Sequence, residues 1–204
     1  DLVTGVQTCA LPILSAVAKH LEALAKGEIT RLIINLPPRL GKSNLSTVAF
    51  PAWLWTKNPA LKILSASCTR NLALTHSEAS RELIKSQWYQ QYWNIELSKS
   101  SDSKSNFRNT QKGKRLSVSA RSANIGFGGD ILIIDDPNEP NAGKSRSAID
   151  DVLFWYSRRF VTRLNEGGKI LLIQQRIHEE DLTGFILSKD RKSTRLNSSH
   201  QIIS

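Results

Sequence analysis

The chain of 204 residues predicts an α/β fold in which a mainly parallel sheet is flanked by helices. Four short apolar runs have the composition of buried strands. They are Arg31–Leu36, Leu61–Ser65, Ile131–Ile134 and Ile170–Ile173. Segments with helical periodicity alternate with them, namely Leu14–Lys26, Ser43–Trp55, Arg70–Lys85, Ser145–Arg159 and Glu179–Ser188. Because strand and helix alternate, we expect right-handed crossovers and helices on both faces of the sheet.

One part of the sequence departs from this alternation. Asn106–Thr110 and Lys114–Ser119 flank Lys112-Gly113 in the manner of a β-hairpin. Ser98–Ser105 (SKSSDSKS) is low in complexity and predicts an exposed loop.

The two ends of the sequence are related to each other through their codons. Read in reverse, residues 190–202 can be written as codons complementary to residues 1–13, for example His200 as CAC with Val3 as GTG. Protein structure gives no reason for this relation, whereas a sequencing adapter read through on both strands does. We therefore expect 1–13 and 190–204 to be adapter-derived scars, and 14–189 to be a domain truncated at both ends.

Composition bounds the class of protein. An apolar content of 40% with 23% charged residues is typical of a globular chain, and no apolar run approaches the roughly 18 residues of a membrane-spanning helix. Of 28 basic and 18 acidic residues, three and two lie in the terminal segments, which leaves a net charge of +9. This excess fits a polyanionic partner or a solvated basic face. Because only Cys68 remains once Cys9 is set aside, we expect no disulfide framework and a reducing, cytosolic setting.

The first candidate site lies between an apolar strand and a helix, where phosphate-binding loops occur. It reads LPPRLGKS, and we expect ATP to contact Pro38, Arg39, Leu40, Gly41, Lys42 and Ser43. In such loops backbone N–H groups and the helix N-terminus surround the phosphates, the lysine reaches the β- and γ-phosphates, and the hydroxyl binds Mg²⁺. Leu36 stands where the usual pattern has its first glycine. A lysine after glycine at a helix start is also a common solvated cap.

The second candidate site is an apolar strand that ends in paired carboxylates, Ile131-Leu132-Ile133-Ile134-Asp135-Asp136. This position places Asp135 opposite Ser43 to hold Mg²⁺, and Asp136 where a second acid orients the attacking water. The alternative is a helix N-cap, a position that aspartate often fills.

The strand candidate Leu61–Ser65 lies between these two motifs in the sequence. It suggests the branch of P-loop NTPases that inserts an additional strand between the loop strand and the acid strand, within a RecA-like sheet. That branch usually has glutamate directly after the metal-binding aspartate. Since Asp136 is shorter, Glu139 is a reserve candidate for the water-orienting role.

The third candidate site follows the last strand, in the run LIQQRIHEEDLTG (172–184). Gln175 and Arg176 could contact phosphate or bound water and relay hydrolysis to a moving segment. The alternative is a helix N-terminus with favourable acidic residues. His178 has no second histidine or cysteine at ligand spacing, so a metal site is not expected there.

These motifs, in this order, resemble the ATPase domain of tailed-phage terminase large subunits, the motors that package viral DNA. The resemblance covers most of 14–189. It rests on RLIINLPPRLGKS (31–43), ILSASCTRNLA (63–73), GFGGDILIIDDPNEP (126–140), FWYSRRFVTRLN (154–165) and LLIQQRIHEEDLTGFIL (171–187). A generic helicase would share the loop and the acids, but not the last run.

The resemblance implies ATP and Mg²⁺ as cofactors, with Lys42 and Ser43 in binding, Asp135 as the metal acid and Asp136 as the catalytic acid. It places Gln175 and Arg176 in the coupling segment, and Arg39 as an additional phosphate-contacting arginine, for which a solvated loop residue is the alternative. It further implies double-stranded DNA, the small terminase subunit and the portal or procapsid as partners, and a homo-oligomeric ring in the cytoplasm of an infected bacterium. The family's nuclease domain lies beyond 189, so the fragment is not expected to cleave DNA.

Two other functions stay open. A helicase or other translocase on the same core would require a second motor lobe. A non-catalytic DNA-binding module is supported by the +9 charge and by an aromatic and basic mixture. The residues of that mixture are Trp88, Tyr89, Trp93, Phe107 and Arg108. Three further arginines could act on DNA, act on a neighbouring subunit's ATP, or only face solvent, namely Arg158, Arg159 and Arg163.

Overall fold

The computed structural model describes residues 2–122, 126–192 and 200–203. Within these ranges the chain forms one eight-stranded sheet. Its strands are β1 Arg31–Asn35, β2 Lys62–Ser67, β3 Leu97–Asp102, β4 Asn106–Asn109, β5 Lys114–Ser119, β6 Gly129–Asp135, β7 Leu164–Gln174 and β8 His200–Ile203.

The sheet has the order β3-β4-β5-β2-β6-β7-β1-β8. All neighbours from β5 to β8 are parallel, while β4 pairs antiparallel with β3 and β5. This mixed α/β architecture confirms the predicted fold class. The strand that separates the loop strand β1 from the acid strand β6 is β7, and β2 lies on the far side of β6. Assigning the inserted position to Leu61–Ser65 was therefore wrong, because sequence order does not fix the order of strands that crossovers connect.

Helices cover both faces of the sheet as alternation predicts. They are α1 Leu2–Lys26, α2 Phe50–Lys57, α3 Arg70–Lys85, α4 Gln87–Trp93, α5 Arg146–Trp155 and α6 Leu182–Lys192. A π-helical segment, Asn44–Ala49, leads directly into α2, and a second one, Tyr156–Phe160, follows α5. α3 has the predicted bounds, because Thr69 caps its start by accepting a hydrogen bond from the Leu72 N–H at 3.2 Å. α6 begins three residues later than predicted, since 179–181 form the turn that precedes it.

The hairpin was predicted at the right place, and the loop before it was not. Strands β4 and β5 pair around a turn in which Asn109 Oδ1 accepts hydrogen bonds from the N–H groups of Gln111 and Gly113, at 3.0 and 2.8 Å. Residues 98–102 of the predicted exposed loop Ser98–Ser105 form β3 together with Leu97, at the edge of the sheet. The prediction was wrong because pairing with β4 outweighs the weak strand propensity of Ser and Lys.

The apolar residues form two clusters, one on each face of the sheet. One contains Leu21, Phe50, Trp55 and Phe107 between the sheet and helices α1 to α3, and the other contains Trp155 and Phe160 of the α5 region. The core strands alternate between the two clusters, since Ile131 and Ile133 face one and Leu132 and Ile134 the other. The carboxyl ends of β1, β6 and β7 are therefore held in a rigid frame.

The described residues of the terminal segments begin α1, end α6 and form the edge strand β8. α1 starts at Leu2, and β8 pairs with β1 through 200–203. The sheet from β3 to β1 is built entirely by residues 14–189. Among the residues that the structure describes, no helix has the length and apolarity to cross a bilayer.

Candidate ATP-binding site

The loop after β1 turns sharply before its helix. Arg39 and Gly41 adopt left-handed backbone conformations, with φ of 68° and 74°, and glycine takes this conformation without strain. The Leu36 N–H donates a hydrogen bond to the Gln174 carbonyl at 3.3 Å, which fastens the start of the loop to the end of β7. The Leu45 N–H donates a hydrogen bond to the Gly41 carbonyl at 3.0 Å, so the helix begins directly after the glycine.

Lys42 reaches from this loop to the acid strand. Its side chain is 5% exposed, and Nζ lies 3.0 and 2.9 Å from the two carboxylate oxygens of Asp136. Nζ also lies 3.4 Å from the Leu36 carbonyl oxygen. A buried ammonium group needs such partners to offset its lost hydration. The loop lysine and the second acid, predicted independently, are thus in contact.

Asp135 meets the same loop one residue earlier. The Ser43 hydroxyl donates to Oδ1 at 3.0 Å, and the Thr47 hydroxyl donates to Oδ2 at 2.8 Å. The carboxylate is almost fully buried, and burial raises its pKa to about 6, against the lowering effects of the Thr47 and Ser43 hydrogen bonds. A buried anion with hydroxyl partners and little compensating charge is suited to a cation.

Thr47 and His76 were missed by the sequence prediction. Thr47 lies in the π-helical segment, one turn after Ser43, so that both hydroxyls reach one carboxylate. His76 of α3 places Nδ1 3.3 Å from Asp135 Oδ2. Burial and the charge of Arg115 lower the pKa of His76. A hydroxyl one turn after the loop serine was a usable signal for Thr47, whereas nothing in the sequence connects α3 with the acid.

Asp136 ends the acid strand in a left-handed conformation with φ of 43°, which aspartate tolerates better than most residues. Its N–H donates to the Ile173 carbonyl at 2.8 Å, and its Oδ1 accepts the Gln175 N–H at 2.8 Å. Asp136 also borders a cavity of about 130 Å³ at the ends of β6 and β7. The second acid is therefore partly solvated and faces an open space, as a residue that contacts a water molecule must. Glu139, the reserve candidate, is exposed and lines a separate groove with Arg121.

The segment after β7 is held by its own contacts. Gln175 is exposed and reaches Asp136 through its backbone N–H. Arg176 donates from Nε to Asp181 Oδ2 at 2.9 Å and from Nη2 to the carbonyls of His178 and Glu179. The structure thus brings Gln175 to the site by its backbone, and ties the Arg176 side chain to the start of α6.

Gln174 was overlooked next to Gln175. It is 2% exposed and borders the same cavity as Asp136. Its Nε2 makes no hydrogen bond to any residue in the described part of the chain. A buried amide without a partner is costly. The available signal was that Gln174 directly continues the apolar run Ile170–Ile173, all of which is buried.

Of the arginines predicted for phosphate or DNA, Arg39, Arg158 and Arg163 are exposed and Arg159 is half-buried. Arg39 is exposed at the bend of the loop. Arg159 stacks 5.7 Å from the ring centre of Phe154, which is itself 55% exposed. Of the aromatic residues considered for DNA, Tyr89 and Phe107 are buried, so they belong to the core.

The residues present fit Mg²⁺ held together with a nucleotide. Ser43 and Asp135 supply two oxygen ligands, and phosphate oxygens and water commonly complete such a shell. Among the described residues there is no cluster of three His, Cys, Asp or Glu side chains that would hold a metal by itself. Two oxygen ligands from the protein match a cation whose other ligands are phosphate and water oxygens.

The sheet order and the flanking helices match a RecA-like α/β fold. The crystal structure of the HK97 bacteriophage large terminase is similar, with a TM-score of 0.56 and 14% sequence identity over 88% of this chain and 36% of that one. At this identity the likeness shows a terminase-like fold, and this chain corresponds to about a third of the length of that structure. No protein-family model and no curated protein matches the sequence.

Proposed function

We propose that this chain is the ATP-hydrolysing motor domain of a phage terminase large subunit. One observation carries the proposal: a lysine and a serine of the loop after β1 contact two consecutive acids at the end of β6. The contacts are Lys42–Asp136 and Ser43–Asp135. Lysine, hydroxyl and paired acids at the carboxyl ends of parallel strands are the groups that phosphoryl transfer requires. The terminase-like fold supports the choice among motors.

In this proposal the loop Pro38–Ser43 binds the triphosphate. Lys42 exchanges Asp136 for phosphate oxygens, which releases the Asp136 carboxylate to orient water in the adjoining cavity. Mg²⁺, when bound, neutralises phosphate charge, and Ser43 and Asp135 would hold it. Catalysis then consists of positioning and electrostatic stabilisation. Arg39, at the exposed bend, contributes a further positive charge to the phosphates.

The released Asp136 also bears on coupling. Its carboxylate holds the Gln175 backbone, and Arg176 in the same segment is fixed to Asp181 at the start of α6. A change at Asp136 is therefore passed to α6 through two hydrogen bonds. We assign Gln175 and Arg176 to the coupling of hydrolysis to movement of double-stranded DNA into a procapsid.

The assembly follows from the same assignment. The working motor would be a homo-oligomeric ring that engages the portal and the small subunit in the cytoplasm of an infected bacterium. The nuclease domain would lie in a part of the gene outside 14–189. In this assignment 1–13 and 190–204 do not belong to the motor.

The test is phosphate release from ATP and Mg²⁺ by the full chain and by Lys42→Ala. We expect turnover in the wild type and none in the variant, with unchanged circular dichroism. Lys26→Ala is the control, since its side chain is 63% exposed at the end of α1, and it should keep wild-type turnover. Equal turnover in Lys42→Ala and the wild type would refute the assignment. Stimulation of hydrolysis by double-stranded DNA tests the motor part of the proposal.

A further inference from the structure

Buried polar side chains contact Asp135 on one side, and none of them has a role in the proposed hydrolysis. They are Thr47 of the π-helical segment and His76 of α3, and with Arg115 of β5 they form a buried polar layer. Arg115 is 1% exposed and donates from Nη2 to the Thr47 carbonyl at 2.8 Å. Backbone hydrogen bonds are often irregular in π-helical segments. Arg115 satisfies the backbone carbonyl of Thr47, the residue whose hydroxyl donates to Asp135.

His76 completes the layer on the side of α3. Its side chain is 13% exposed, and its Nδ1 is buried and makes no hydrogen bond to any atom in the described part of the chain. The carboxylate oxygen Asp135 Oδ2 lies 3.3 Å from that nitrogen. The two atoms are within hydrogen-bond distance although no hydrogen bond is formed, so a small rotation of either group would complete it. The donor is an N–H on Nδ1, which is present in the imidazolium and in the Nδ1–H tautomer of the neutral ring.

The two carboxylate oxygens of Asp135 thus have different partners. Oδ2 faces Thr47 and His76, whereas Oδ1 faces Ser43. The terminal torsion of an aspartate side chain is soft, so a single hydroxyl on Oδ2 leaves the carboxylate free to turn. A second donor on Oδ2 keeps Oδ1 directed at the serine.

We propose that His76 is a positioning residue for the cation site, which orients Asp135 by holding its Oδ2 together with Thr47. The inference rests on the proposed function, because it takes Asp135 and Ser43 as the cation ligands. Residues that hold a metal-binding carboxylate typically contribute a factor of about 10 to 100 in metal affinity or activity. Since Asp135 shares the cation with phosphates and water, we expect the lower end of this range.

The experiment compares His76→Leu with His76→Asn in the full chain. Leucine and asparagine have similar shapes, but only the asparagine amide nitrogen can take the place of Nδ1. In His76→Leu the Mg²⁺ concentration for half-maximal hydrolysis should rise about 10-fold, with ATP binding in the absence of Mg²⁺ unchanged. His76→Asn should restore most of the wild-type dependence. Ser80→Ala is the matched control, because this buried hydroxyl lies one turn further along α3 and bonds no described residue.

Several results would overturn the inference: a wild-type Mg²⁺ dependence in His76→Leu, the same loss in His76→Asn, or the same loss in Ser80→Ala. Should His76→Leu fail to fold, His76→Gln serves instead, since its amide nitrogen reaches the position of Nε2 and not of Nδ1. It should then show the 10-fold shift, and wild-type behaviour would contradict the inference. If the wild type hydrolyses no ATP, the proposed function fails. The inference is then decided by Mg²⁺-dependent binding of a fluorescent ATP analogue to the same variants.

Discussion

The folded protein should be more stable when Asp135 is replaced by asparagine. Burial raises the pKa of Asp135 from 3.8 to about 6, so the folded state binds this proton more tightly than the unfolded chain. The free energy of unfolding therefore falls as the pH rises from about 4 to about 6. At 1.36 kcal/mol per pH unit the ionised carboxylate costs on the order of 3 kcal/mol above that window. Asparagine keeps the shape, and the hydroxyls of Ser43 and Thr47 can accept as well as donate.

The assay is urea denaturation of the wild type and Asp135→Asn at several pH values from 4 to 7.5, without Mg²⁺. The two proteins should have similar stability near pH 4, and Asp135→Asn should be more stable by about 3 kcal/mol at neutral pH while hydrolysing no ATP. Asp150→Asn is the control, because this carboxylate is 53% exposed beside Arg146 and its replacement should change stability by less than about 1 kcal/mol. A less stable Asp135→Asn at neutral pH, or a difference that does not vary with pH, would refute the reasoning.

Three further predictions concern other parts of the chain. Asp181→Ala should lower the free energy of unfolding by about 2–4 kcal/mol, because the buried Asp181 carboxylate accepts hydrogen bonds from Arg176, Ile177 and Gly184; denaturation of Glu180→Ala, an exposed neighbour paired with Arg146, should show a change below about 1 kcal/mol. Gly184→Ala should cost at least about 1–3 kcal/mol, because a Cβ there would clash with the Glu179 carbonyl oxygen, whereas a Cβ at Gly126 meets no atom of the described residues within 4 Å, so Gly126→Ala should be neutral in the same thermal melts. Independent sequencing of the source gene with another adapter should lack the codons for 1–13 and 190–204, and recovery of those codons would return both segments to the protein.

The sheet was predictable from the sequence because its central strands are short, uniform apolar runs. β1, β2, β6 and β7 were placed to within a few residues, apart from the polar start of β7 at Leu164. The neighbours of each strand were not predictable in the same way. Crossovers permit either β2 or β7 beside the loop strand, and the choice depends on packing across the whole sheet.

In the candidate site, too, the residues in local sequence patterns were predicted and those that depend on packing were not. Lys42, Ser43, Asp135 and Asp136 belong to local patterns at strand ends, and the structure brings these four together. Thr47 and His76 reach Asp135 through a π-helical segment and through the packing of α3. Thr47 leaves a local signal, because its hydroxyl lies one turn after the loop serine, whereas nothing in the sequence connects His76 with the acid. The buried Gln174 amide escaped notice because Gln175 beside it is the same residue type and only the structure shows that Gln174 is buried and Gln175 exposed.

The most direct test of the central claim separates ATP binding from hydrolysis at Asp136. In Asp136→Asn the amide keeps the size of the carboxylate but cannot act as a base, so the variant should bind ATP and Mg²⁺ and release phosphate far more slowly than the wild type in a single-turnover experiment. General acid–base groups contribute about 10² to 10⁴ in rate, which sets the expected loss. Hydrolysis at the wild-type rate by Asp136→Asn would contradict the assignment of this site as an ATPase centre with Asp136 as its catalytic carboxylate.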